Sequence, residues 1–172
     1  MTAPPLIRDA TAADAGALLA IYRPFVEHTV VSFEIEAPTD QELAARIEKA
    51  LANWAWVVAE LNGRCVGYAY GSEHRTRAAY RWSAEVSAYV APAHQRQGIA
   101  RSLYGELIER LRARGYCQAF AGVTLPNDAS IGFHRSVAFD NIGVFRSVGR
   151  KFGSWHDVAW LQRGLRDAPP FD

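Results

Sequence analysis

Glu85 stands in Trp82-Ser83-Ala84-Glu85-Val86-Ser87, a stretch otherwise built from small and apolar residues and preceded by Tyr80. A carboxylate desolvated on such a strand has a raised pKa, which suits it to taking a proton near neutral pH. Strand alternation equally permits a glutamate that faces solvent. Downstream lies Gln95-Arg96-Gln97-Gly98-Ile99-Ala100-Arg101. Small residues at Gly98 and Ala100 let a ligand approach the backbone. The free N–H groups of a first helical turn, together with Arg96 and Arg101, attract an anion. A bare strand–turn–helix corner with two solvated arginines would have the same sequence, and no Walker-type GxxxxGK[ST] loop is present. His134 is the second titratable candidate. His28, His74, His94 and His156 lack ligand spacing such as HExxH, so no metal site is expected. Arg75 and Arg77 precede the Glu85 strand on a polar loop, where guanidinium forks suit a carboxylate or phosphinate, or are simply solvated.

The elements that must position these groups can be read from the pattern. Ala88, Tyr89 and Val90 continue the Glu85 strand until Pro92 stops it. Ile99, Leu103, Leu107, Ile108 and Leu111 then recur at helical steps, with Gly115 as the stop. Upstream, Leu6–Ala10 reads as a strand. Thr11–Asp14 and Thr39–Glu42 read as capping boxes opening two helices. The first carries Ala17, Leu18, Ile21, Tyr22 and Phe25; the second carries Leu43, Ile47 and Leu51. Val30–Glu34 is an ordered loop between them. Trp56–Glu60 and Arg64–Tyr70 flank Asn62-Gly63, a strong hairpin signal. Gly71–Arg81 is expected as a loop. Downstream come a strand at Ala119–Thr124, an N-cap at Asn127 or Asp128, and a short helix through Ile131, Phe133, His134 and Val137. Strands at Ile142–Val148 and Trp155–Gln162 follow, joined by a loop from Gly149 to Ser154. This order predicts an α/β (α+β) fold with a mixed sheet.

The chain has 172 residues, 49% hydrophobic and 22% charged, which suits one soluble domain spanning 1–172 with its core at 6–165. A net charge of +1 argues against a nucleic-acid partner. Arg110, Arg112 and Arg114 are expected to be solvated or to complement a helix end. Cys65 and Cys117 read as small buried hydrophobes. There is no membrane-length apolar run and no signal-peptide pattern, so the cytoplasm is the expected compartment. The Pro-containing ends are expected to fray.

Gln95–Ala100 resembles the Q/R-x-x-G-x-G/A signature of the GNAT acyltransferases. Further segments resemble their phosphinothricin/methionine-sulfoximine N-acetyltransferase branch: Ser32-Phe33-Glu34, Ala79–Glu85, Tyr89–Arg96, Leu125–Ser130 with His134, and Lys151–Val158. The resemblance runs from Leu6 to about Leu165. It implies a mostly antiparallel central sheet flanked by helices, and acetyl-CoA as co-substrate. It assigns the pyrophosphate to Arg96, Gln97, Gly98, Ile99, Ala100 and Arg101. The pantetheine arm falls to the backbone of Ala88, Tyr89 and Val90 and to Asn127, with an N–H near Tyr89 as oxyanion donor. Glu85 would be the base of a direct transfer and His134 its catalytic helper or a structural neighbour of the thiol. Phe33, Arg75, Arg77, Tyr80, Trp82, Glu85, Val86 and Ser87 would surround the acceptor, though Phe33, Tyr80 and Trp82 could equally be core. Tyr104 reads as core. The implied activity is N-acetylation of a small amino-acid analogue by a homodimer. The rivals are acetylation of a peptide N-terminus and a non-catalytic acyl-CoA-binding module. Three departures stand out: Val137-Ala138-Phe139 replaces the usual Leu-Gly-Tyr/Phe, Ala100 replaces a second glycine, and Phe152 follows Lys151 where histidine is frequent.

Overall fold

The computed structural model describes residues 4–171. Fraying expected at Met1–Ala3 and Asp172 lies outside the described residues. In chain order the elements are β1 (Leu6–Asp9), α1 (Ala15–His28), α2 (Asp40–Asn53), β2 (Trp56–Leu61), β3 (Arg64–Glu73) and β4 (Ser83–Val90). Then come α3 (Ile99–Ala113), β5 (Gln118–Thr124), α4 (Asp128–Ser136), β6 (Asp140–Lys151) and β7 (Ser154–Gly164). The strands form one seven-stranded sheet in the order β1-β2-β3-β4-β5-β7-β6. Every pairing is antiparallel except β4 with β5. This is the mixed, mostly antiparallel architecture expected.

Alternation divides the sheet into two cores. On one face Val57, Ala69, Ala84, Val86, Ala119, Ala121 and Leu161 meet Ile99, Leu103, Tyr104, Leu107, Ile108 and Leu111 of α3. Burying a side chain of this size contributes about 1.5–3 kcal/mol, so this stripe is what fixes α3 on the sheet. On the other face Trp56, Val58, Tyr68 and Tyr89 meet Leu18, Tyr22 and Val26 of α1 and Leu43 and Ile47 of α2. Thr39 starts α2 as expected: the Thr39 N–H donates to Glu42 Oε2 at 2.7 Å and the Glu42 N–H to Thr39 Oγ1 at 3.2 Å. The N–H of Thr11 likewise donates to Asp14 Oδ2 at 2.8 Å.

Three expectations need correction. First, β3 runs on to Glu73, because Gly71 lets Trp54 and Leu111 pack where a Cβ would be 3.0–3.1 Å from them, and Ser72 and Glu73 pair with Glu85 and Ala84. Second, the loop at 149–154 shrinks to Phe152-Gly153, which turns through positive φ of 50° and 76° between paired strands. Third, Cys65 and Cys117 are only half-buried. Cys65 packs at the edge of the α1–α2 core, with its thiol 3.9 Å from the Arg8 and Asp14 side chains. The arginines at the C-terminal end of α3 complement it as expected, and each also has a partner. Arg110 meets Asp9 at 2.6 Å, Arg112 donates to Leu165 O at 2.7 Å, and Arg114 donates to Leu51 O at 2.6 Å.

Candidate active site

β4 pairs with β3 along its whole length, from Glu73–Ala84 to Gly67–Val90. It pairs with β5 at only three positions, Ser83–Gln118, Ala84–Ala119 and Glu85–Phe120. Beyond Glu85 the two strands diverge. The result is a cleft of about 130 Å³ lined by Val86–Val90 on one side and Ala121–Thr124 on the other. Every second residue of a strand edge left this way offers its N–H and C=O to whatever enters. The cleft is closed from the α3 side by Ala100, Tyr104, Asn127, Phe133 and His134, and it continues to the Gln95–Arg101 loop.

That loop has the backbone an anion cradle needs. Gly98 takes φ of 81° at the N-cap of α3, and Arg96 takes φ of 59°. The first helical bond runs from the Ser102 N–H to Gly98 O at 3.1 Å, so the N–H groups of Ile99, Ala100 and Arg101 precede the ladder. Nothing lies within 4 Å of where a Gly98 Cβ would stand, leaving open space in front of the helix. Of the expected cations Arg96 is exposed, while Arg101 bonds Ser136 Oγ at 2.8 Å and its carbonyl at 3.2 Å. Gln97 donates to Ala93 O at 3.2 Å, so it shapes the loop from within.

Glu85 sits at the fork. Burial raises its pKa, and the hydrogen bond and charge of His74, with the charge of Arg75, offset part of that. His74 Nδ1 lies 3.1 Å and Arg75 Nη1 3.4 Å from Glu85 Oε1. The imidazole is stacked on Phe120 at 4.1 Å and 7°, and the Arg75 guanidinium stands 5.8 Å over Trp160. With Ile142, Gly143 and Phe145 these groups line a second cleft of about 170 Å³ on the α1–α2 side of the sheet.

His134 is placed on the cleft wall, but both ring nitrogens are engaged. Nδ1 lies 2.8 Å from Ser130 O, which can only accept, so Nδ1 carries the proton. Nε2 then accepts from the Tyr104 hydroxyl at 2.9 Å. Burial lowers the His134 pKa, and the Ser130 carbonyl opposes this only in part. Burial also raises the Tyr104 pKa strongly. Asn127 caps α4, its Oδ1 accepting from the Ser130 N–H at 3.1 Å.

Among the residues expected around the acceptor, Val86 and Ser87 line the cleft at the fork, Arg75 stands 3.4 Å from Glu85, and Tyr80 edges against His74 at 5.8 Å. Phe33, on the α1–α2 loop, is seated over Gly149 and stands 6.3 Å from the His156 ring, outside the lining of both clefts. That loop is held by Lys151, whose buried Nζ donates to Val26 O at 2.6 Å and Ser32 O at 2.7 Å. Trp82 and Arg77 are not brought in. Trp82 packs against Phe171 at 5.0 Å, near Gly115, because it precedes the strand rather than facing the fork. Arg77 is exposed at the start of the 3-10 turn Ala78–Tyr80. Tyr89 presents only its backbone to the cleft, since its ring lies in the α1 core against Tyr22 at 4.8 Å.

Sequence reasoning missed His74, Phe120 and Trp160. The register of β3 with β4 carries the signal for His74: once β3 reaches Glu73, Ser72 lies opposite Glu85 and the next residues turn back over it. Phe120 and Trp160 become visible only when β5 and β7 are set beside β4. Tyr104 was legible as core but not as the partner of His134.

Residues 7–160 match the acetyltransferase (GNAT) domain. The chain belongs to the GNAT acetyltransferases. It is 36% identical over 160 residues to the L-methionine sulfoximine/L-methionine sulfone acetyltransferase of Salmonella typhimurium, covering 92% of this chain and 94% of that one. It superposes with a TM-score of 0.90 on a GNAT superfamily phosphinothricin acetyltransferase from Sinorhizobium meliloti solved with AcCoA, at 36% identity over 95% of this chain and 89% of that one. The ribosomal-protein-alanine N-acetyltransferase of Brucella melitensis is equally similar in fold, with a TM-score of 0.90, 39% identity and coverage of 92% and 99%. For a GNAT acetyltransferase, the strand fork and the Gly98 loop fit a thioester with a diphosphate-bearing arm: amides at the split strands, N–H groups and a cation at the loop. No group of three or more His, Cys, Asp or Glu residues that could hold a metal occurs among the described residues, and no described helix is long and apolar enough to cross a membrane.

Proposed function

We propose that this protein transfers the acetyl group of acetyl-CoA to the primary amine of a small amino-acid analogue of the phosphinothricin or methionine sulfoximine kind. The observation that carries this is the position of Glu85 at the point where β4 leaves β5. There, one carboxylate sits where the strand edges open, its Oε1 3.1 Å from His74 and 3.4 Å from Arg75, two residues that line the small cleft. Acetyl-CoA supplies an activated acyl carbon. Gly98, Ile99, Ala100 and Arg96 hold its diphosphate, Val86–Val90 and Asn127 line its arm, and an amide near Tyr89 faces the carbonyl oxygen. Glu85 takes a proton from the acceptor ammonium. The freed nitrogen adds to the acyl carbon, the tetrahedral intermediate collapses as the C–S bond breaks, and the proton that the acylated nitrogen sheds goes to the departing thiolate. Arg75 offers a fork to the acceptor's anionic group, Phe120 and Trp160 line the cleft, and Phe33 on the neighbouring loop is read as its outer wall. His134, with both nitrogens engaged, holds the Tyr104 hydroxyl against the cleft.

A cleft of about 170 Å³ is small beside the ~300–1,000 Å³ typical of drug-sized ligands, which favours a small acceptor. Similarity to the Brucella enzyme favours a second reading, acetylation of a protein N-terminus. We read residues 1–172 as one domain working as a homodimer. The edge strand β6 exposes Ile142, Val144, Phe145 and Val148, a surface suited to a second copy. Sedimentation at micromolar concentration tests this. The activity test follows thiol release from acetyl-CoA with phosphinothricin, methionine sulfoximine, methionine sulfone and alanine-terminated peptides. Turnover on the first three is expected; turnover on peptides alone would overturn the small-acceptor reading.

A further inference from the structure

His74 belongs to no recognisable motif, yet it is the closest polar partner of Glu85. Its side chain is 11% exposed and Nδ1 lies 3.1 Å from Glu85 Oε1. The ring cannot drift: it is stacked on Phe120 at 4.1 Å, with Tyr80 and Trp160 edge-on at 5.8 and 6.2 Å. An ionised carboxylate only accepts, so Nδ1–H donates to Oε1 and Oε2 is the oxygen left for a substrate proton. Around His74 the titratable and charged groups are Glu85 from β4, Arg75 from its own loop and Tyr80 from the 3-10 turn. Phe120 of β5 and Trp160 of β7 add none. Arg75 donates to His74 O at 2.9 Å and stands 3.4 Å from the same Oε1, so the two cationic or donor groups converge on one oxygen.

We propose that His74 is a positioning residue for the transfer: its Nδ1–H locks Oε1 of Glu85, keeps the carboxylate ionised in a desolvated site, and leaves Oε2 to accept the ammonium proton. This rests on the reading of Glu85 as base. No proton passes through His74; the one taken by Oε2 leaves to solvent after the product departs.

The test compares His74→Phe, which keeps the stack on Phe120 and removes the donor, with His74→Asn, whose side-chain amide keeps a donor near the Nδ1 position. The acid limb of kcat/KM against pH, with acetyl-CoA and an accepted small amine, is the readout. In His74→Phe the limb moves to higher pH, and kcat/KM below it falls about tenfold for each unit of movement; acetyl-CoA affinity is unchanged. In His74→Asn the limb returns toward wild type. An unmoved limb in His74→Phe overturns the proposal, as does an equal shift in both variants. Glu85→Gln separates the two claims. If it removes the wild-type limb, leaving only the slow rise as the amine itself loses its proton, while His74→Phe leaves that limb in place, only the inference on His74 fails. If Glu85→Gln keeps both rate and limb, the base assignment itself fails and takes this proposal with it.

Discussion

Replacing Lys151 by methionine should unfasten the loop between α1 and α2 that borders the site. The ammonium is buried and donates to Val26 O at 2.6 Å and Ser32 O at 2.7 Å. Val26 O lies in the last turn of α1, where cations are favoured. Ser32 is bound in turn to the Tyr22 hydroxyl at 2.6 Å and caps the Glu34 N–H at 3.2 Å. Methionine of similar length fills the space but leaves two carbonyls without a donor. Each costs about 1–3 kcal/mol, less the desolvation that the ammonium no longer bears, which burial makes real by lowering the Lys151 pKa. A net loss of about 2–4 kcal/mol follows, which lowers Tm by about 4–16 °C for a chain of this size. Because Ser32 lies between Val31, which lines the cleft at the fork, and Phe33, the acceptor KM should rise, and the acetyl-CoA Kd with it. Calorimetry, acceptor kinetics and acetyl-CoA titration check the three parts. A variant that melts within about 1 °C of wild type and keeps its acceptor KM would refute the argument.

Two further outcomes follow from the same geometry. Gly149→Ala introduces a Cβ 2.1–2.6 Å from the Phe33 ring; the ring must move, so acceptor KM rises with little change in Tm, and an unchanged KM would show that Phe33 does not wall the acceptor. Acid should destabilise the protein through Asp14, whose pKa the Arg8 hydrogen bond holds down at about 2. A lowered folded-state pKa contributes stability above the unfolded value near 3.8 that is lost as pH falls through 2. Discounted for solvent, the loss is about 1 kcal/mol, and Asp14→Asn should flatten that part of a stability–pH curve.

The fold was legible wherever period and punctuation agreed. The α3 stripe, the Asn62-Gly63 hairpin (φ 50° and 74°) and the Thr39 cap all stand where the pattern places them. What was not legible depends on register between distant strands. Gly71 looked like a loop residue because its value lies in admitting Leu111 and Trp54. Trp82 looked like a pocket wall because nothing local says that it meets Phe171. His74 looked incidental because its partner sits across a strand pair and its ring support comes from β5 and β7. Arg101 looked like a free cation, although Ser136 on α4 claims it.

The most direct test of the account is the pH dependence of acetyl transfer by Glu85→Gln, with acetyl-CoA affinity measured on the same protein. With Glu85 as the base, the variant keeps its affinity, turns over near pH 7 more slowly by about 10²–10⁴, and recovers as rising pH frees the amine unaided. Full activity at pH 7 with intact affinity would contradict that role.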